Sequence, residues 1–126
     1  MKKEIIVGCF LILMLIVSFV NIHFLNKLTD NVIQFIEESE KGAEQNDWDI
    51  AVKKGEAAAK LWSDSETYIH LVLRHAEIET TTDAIFGYMA QIYAREEGNA
   101  SGAAQAAISR LKSISAIEKV KLGSVF

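Results

Sequence analysis

Ile5–Val20 reads IIVGCFLILMLIVSFV, sixteen residues without a charge and interrupted only by Gly8 and Ser18. Carried on through Asn21, Ile22, His23 and Phe24 to Leu25, the run is 21 residues long. A helix rising about 1.5 Å per residue then covers the roughly 30 Å hydrocarbon thickness of a bilayer. The stretch predicts one transmembrane helix, with the lipid bilayer as partner through residues 5–25. A cleaved signal peptide would also begin with Lys2 and Lys3, but the apolar run is too long for one. Small residues of a cleavage site are also missing between Ser18 and Asp30. Ile6-Val7-Gly8-Cys9 has the form of a lipobox, yet only Ile5 to Gly8 precede the cysteine, against about 7 to 15 apolar residues in an h-region. Cys9 reads as an inert thiol in an apolar helix.

Lys2, Lys3 and the terminal amine flank one end of the run and only Lys27 lies close to the other, so the N-terminus is expected in the cytoplasm. The chain then divides into an anchor, residues 1–25, and an extracytoplasmic helical domain, residues 26–126, in the cell membrane. The outer segment carries eleven Lys/Arg against sixteen Asp/Glu, a net charge of −5 that disfavours nucleic acid and anionic headgroups as partners. It holds no cysteine, so it has neither a disulfide nor a thiol nucleophile. A chain of 126 residues that is 50% hydrophobic, with no proline and seven glycines, reads as almost purely helical.

Leu25, Leu28, Val32, Phe35 and Ile36 continue at helical spacing straight out of the apolar run, so the anchor helix should enter the outer domain and weaken near Lys41-Gly42. A turn is expected at 43–47, with Asn46 or Asp47 capping the next helix. In that helix Trp48, Val52, Gly55, Ala59 and Trp62 share a line: two indoles bracketing small residues, and hence core anchors. Ser63-Asp64-Ser65-Glu66 matches a capping box and starts a third helix. Its lane runs Tyr68, Leu71, His75, Ile78, Thr82, Ile85, Met89 and Ile92, with Val72, Phe86 and Tyr93 alongside. The lane favours one helix to about Glu97, with the β-branched Thr80–Thr82 run as its weak place. Gly98-Asn99 reads as the next turn, and Ala104, Ala107, Ile108, Leu111, Ile114 and Ile117 line the last helix. The expected fold is all-α: an N-terminal transmembrane helix continuing into a four-helix, two-hairpin antiparallel bundle.

His75, with Glu79 one turn on, is the strongest polar anomaly. In a core lane an imidazole needs a partner, and the pair reads as register-setting. Its alternative role is a pH-sensitive contact. His70 lies five residues away, HExxH is absent, and two ligands do not make a metal site. Glycine-rich phosphate loops, GxSxG and paired catalytic carboxylates are absent too, so no enzyme, cofactor or metal is expected. Glu37, Glu38 and Glu40 read as a solvated helix face. A type IV pilin would carry an acidic residue inside the apolar run, and this chain has none.

The short Lys-rich start, Asp47-Trp48 with Ala51, Trp62, His75 followed by Glu77 and Glu79, and the tail Leu122-Gly-Ser-Val-Phe126 together resemble a family of small single-pass membrane proteins of unknown function from Gram-positive, spore-forming bacteria. The tail departs from that pattern in having no asparagine before its last two residues. The resemblance implies a membrane-anchored helical protein and supplies no activity. Two functions then compete: a noncatalytic extracytoplasmic module that docks a protein partner, and a sensory module acting through His75.

Overall fold

The computed structural model describes residues 1–125, apart from the side chains of Val72, Ser115 and 117–125; the lane positions Val72 and Ile117 and the tail motif therefore lie outside the described side chains. Five helices follow one another: α1 (Lys2–Glu44), α2 (Trp48–Asp64), α3 (Glu66–Val72), α4 (His75–Tyr93) and α5 (Glu97–Val125). No strand occurs among the described residues.

α1 is unbroken over 43 residues, because neither glycine nor proline stands between Gly8 and Gly42. Its first half is apolar all round and none of its most apolar 18-residue window is buried, so it is long and apolar enough to cross a membrane. From Leu25 onward the same helix changes character. Leu25, Leu28, Val32, Ile36, Ser39 and Ala43, three or four apart, form a stripe that α2 and α5 cover. The helix ends at Glu44, two residues past Gly42. Asn46 at φ 57° reverses the chain, while the Asp47 and Asn46 amides donate to the carbonyls of Gly42 and Ala43 at 2.8 and 3.1 Å. The Asp47 carboxylate then accepts from the Ile50 amide at 3.3 Å and caps α2.

α2 buries Ala51, Gly55, Ala58 and Trp62, with Val52 and Ala59 half-buried beside them. Trp62 is enclosed and Trp48 only half-buried, so the two indoles do not seal the face equally. The row of small residues brings α1 close. A methyl on Gly42 would stand 3.1 Å from the Ala51 amide nitrogen, and one on Gly55 would stand 3.2 Å from Ser39 Oγ and 2.6 Å from Met89 Sδ.

Three expectations are corrected beyond Trp62. Ser63 lies inside the last turn of α2, so no capping box forms, and Ser65, the cap of α3, makes no side-chain cap bond. The long third helix is two: Leu73 and Arg74 are extended, with ψ 156° and 143°, and α4 starts afresh at His75. The buried positions explain the break. Ile69 and Leu73 are four apart, but the next buried residue, Ile78, is five on, a step that an unbroken helix would carry off its covered face. The Thr80–Thr82 run stays helical because its hydroxyls find partners: Thr80 donates to the Ala76 carbonyl at 2.7 Å and Thr82 accepts from Trp62 Nε1 at 2.9 Å. The last turn falls at 94–96 rather than at Gly98-Asn99, which both lie in α5. Arg95, φ 57°, takes the left-handed position, and the Glu96 and Arg95 amides donate to the carbonyls of Gln91 and Ile92, the same pattern as the first turn.

α4 packs on α5 and α2, and α3 touches α2 and α4. Removing the enclosed indole should open a cavity among α2, α4 and their neighbours. Trp62→Ala is expected to cost about 3–5 kcal/mol in chemical denaturation of the full chain in detergent. Glu38→Ala should change much less, since Glu38 and its partner Lys54, 3.0 Å away, are both only half-buried and their ion pair stays partly solvated. Equal small effects would mean that Trp62 is not a core residue.

Candidate functional site

His75 does not occupy the core. Its side chain is 73% exposed, because it is the first residue of α4, one turn before Ile78, the first position that a neighbouring helix covers. Nε2 sits 3.0 Å from an oxygen of Glu79, itself 65% exposed, so the pair lies on the surface instead of fixing the register of a buried lane. The neighbour that the sequence set apart turns out to be close. The extended Leu73-Arg74 link folds α3 back so that the His70 ring stacks beside the His75 ring, centroids 6.1 Å apart and 26° from parallel. His70 in turn meets Glu66 at 3.3 Å. Glu66, His70, His75 and Glu79 thus form one row across the α3–α4 corner. No group of three or more metal-ligating side chains able to hold an ion occurs among the described residues. The row sets two imidazoles side by side with a carboxylate next to each.

The buried polar centre lies elsewhere, and the sequence reading missed it. The Tyr88 hydroxyl donates to Ser39 Oγ at 2.7 Å, and the Ser39 hydroxyl donates to the Ala51 carbonyl at 2.5 Å, tying α4, α1 and α2 together. Both side chains are fully enclosed, and burial pushes the Tyr88 phenol up to about 12. The contact exists because Gly55 leaves room for Ser39 and Met89. Ser39 did carry a signal, as the one hydroxyl on the α1 stripe between Ile36 and Ala43; Tyr88 carried none, since the expected lane ran through Met89. Closer to solvent, Tyr93 donates to Glu56 at 2.7 Å, which also raises its phenol pKa, and Ser101 donates to Glu40 at 3.0 Å. Lys54 holds the Glu38 carboxyl below the usual carboxylate range.

A family model described as a domain of unknown function (DUF4363) matches residues 19–125, most of the chain. No curated protein and no solved structure matches it.

The Tyr88 phenol makes a signed prediction. Unfolded tyrosine ionises near pH 10, whereas the folded protein keeps the proton to about 12, so stability should fall as pH rises through that window and level off above it. The loss attributable to Tyr88 is about 3 kcal/mol, two pK units at 1.36 kcal/mol each. Tyr88→Phe should flatten that part of the alkaline limb, leaving a smaller slope from Tyr93, and should cost about 1 kcal/mol at neutral pH for the lost hydrogen bond. Denaturation followed at several pH values checks both. An unchanged alkaline limb would contradict the burial of this hydroxyl.

Proposed function

The chain belongs to the DUF4363 family of unknown function, and on that premise we propose that it is a noncatalytic, membrane-anchored module that docks a protein partner outside the cytoplasm. The anchor comprises residues 1–25 and crosses the bilayer once, with the N-terminus cytoplasmic and residues 26–126 outside. α1 with α2, and α4 with α5, then act as two antiparallel hairpins, α3 serving as a bent extension of the second.

The observation that carries the docking reading is the outward face of α4. Phe86 and Tyr93, two turns apart on one face, are 53% and 58% exposed, with Gly87 and Ala90 exposed between them. Aromatic rings separated by small residues give a flat apolar strip on a helical domain, 26–126, whose other described Phe, Tyr and Trp rings are buried or half-buried, and such residues are enriched at protein contacts. A second reading, a regulatory module responding to pH through His75, is favoured by the Glu66–His70–His75–Glu79 row.

One set of variants tests both readings. Lys53→Cys, exposed on α2, should react with a membrane-impermeant thiol reagent in intact cells; reaction only after lysis would refute the orientation. A photoreactive side chain at Phe86 should give one discrete adduct with a second protein in living cells, absent when the probe is moved to Lys53. No adduct, or the same adducts from both positions, would contradict docking on α4. An adduct whose yield changes between about pH 5 and 8 and loses that dependence in His75→Gln would favour the regulatory reading.

A further inference from the structure

α3 is held at the end of the apolar run. The Tyr68 hydroxyl donates to the main-chain oxygen of Asn21 at 3.1 Å and also meets the Asn21 side-chain carbonyl. The Tyr68 ring stands edge-on to Phe24, centroids 4.5 Å apart. Asn21 is the first residue after Val20, and Leu25, where a 21-residue span would leave the hydrocarbon, lies one turn further on. A helix pinned at the level of Asn21–Phe24 therefore stands within about one turn, 5.4 Å, of the inside of that boundary.

The side chains of α3 divide accordingly. Ile69 is buried, and Leu73 just past the helix is buried too, whereas Leu71 is 80% exposed. That exposure exceeds that of the exposed large apolar side chains in the 5–20 run, whose values lie between 52% and 67%. An isolated leucine on a soluble surface would need no explanation. This one stands at the depth of the bilayer, next to Phe24, which is 48% exposed, and to a tyrosine whose ring is apolar and whose hydroxyl is polar. Lys27 and Arg74, both exposed, bring cationic groups suited to headgroups to the same end, while His70 and His75 meet Glu66 and Glu79.

We propose that α3 is an interfacial helix: it lies at the headgroup–acyl boundary of the bilayer that holds α1, and Leu71 enters the lipid. The proposal rests on the anchorage proposed above. It gives the helical body two attachments to the membrane, the span itself and a second, lateral contact through α3, so the body is seated on the bilayer instead of standing clear of it. Within α3, Leu71 stands two residues from Ile69 and so faces away from the core that Ile69 and Leu73 help to fill.

Site-directed nitroxides on the full chain, reconstituted in phosphatidylcholine/phosphatidylglycerol vesicles, test it. With Cys9→Ser to remove the exposed native thiol, single cysteines replace Phe10, Lys53 or Leu71. Collision rates with oxygen, which concentrates in lipid, and with a water-soluble nickel chelate, which does not, are then compared. The oxygen-to-nickel ratio at position 71 should approach that at position 10 and exceed that at position 53 severalfold. A label at 71 open to nickel while position 10 is protected would overturn the interfacial helix and leave the anchor standing. Low collision rates with both reagents at 71 would also overturn it, since they indicate a protein contact. If position 10 is itself open to nickel, the anchorage fails and the interfacial helix with it.

Discussion

A single helix carries two kinds of surface. α1 is apolar on every side as far as Val20 and then, without a hinge, narrows to one buried stripe that α2 and α5 cover. With no glycine or proline between Gly8 and Gly42, backbone hydrogen bonding continues through the change, and the direction of the exposed half dictates the direction of the helical body. A flexible linker would let the body sample many orientations. A continuous helix permits essentially one, and the placement of α3 against Asn21 and Phe24 follows from it.

Close approach is the second constraint. A methyl on Gly42 or Gly55 would crowd its neighbours, and the space left at Gly55 lets Ser39 reach the Ala51 carbonyl and receive the Tyr88 hydroxyl. A buried serine and tyrosine without those partners would each cost more than the hydrogen bond returns, so the polar chain specifies one seating of α1, α2 and α4. The two turns add rigidity of a different kind. Each places a residue with a side chain, Asn46 or Arg95, in the left-handed region at φ 57°, tolerated because two main-chain hydrogen bonds close each helix end around it.

Much of this could be read from residue order. The stripe of α1, the cap at Asp47 and the burial of Trp62 follow from spacing and from the hydrogen-bonding habits of aspartate, and the helical class follows from composition. The break at Leu73-Arg74 could not be read, because Leu71, His75 and Ile78 continue a faultless lane on paper. Only knowing that Ile69, Leu73 and Ile78 are the covered residues exposes the step of five. His75 was misplaced for the same reason: the lane holds from Ile78 on, but a first residue has no turn before it for a neighbour to cover. Arg95 gave no sign of a turn, since arginine has no intrinsic preference for positive φ, whereas Gly98 and Asn99 offered familiar turn chemistry and were not needed. The Tyr88–Ser39 contact depends on residues 49 apart and on the absence of a side chain at Gly55, which no local pattern records.

Everything rests on α1 being one stiff rod from its apolar half to the helical body. Nitroxides replacing Leu13 and Glu37, both exposed, measure this directly in reconstituted, cysteine-free protein, by the dipolar distance between them. Twenty-four residues of unbroken helix separate the two labels by about 36 Å, and a single narrow distribution near that value is expected. A broad distribution, or one centred well below it, would show a joint between the apolar half and the body and would contradict the fixed seating of the domain.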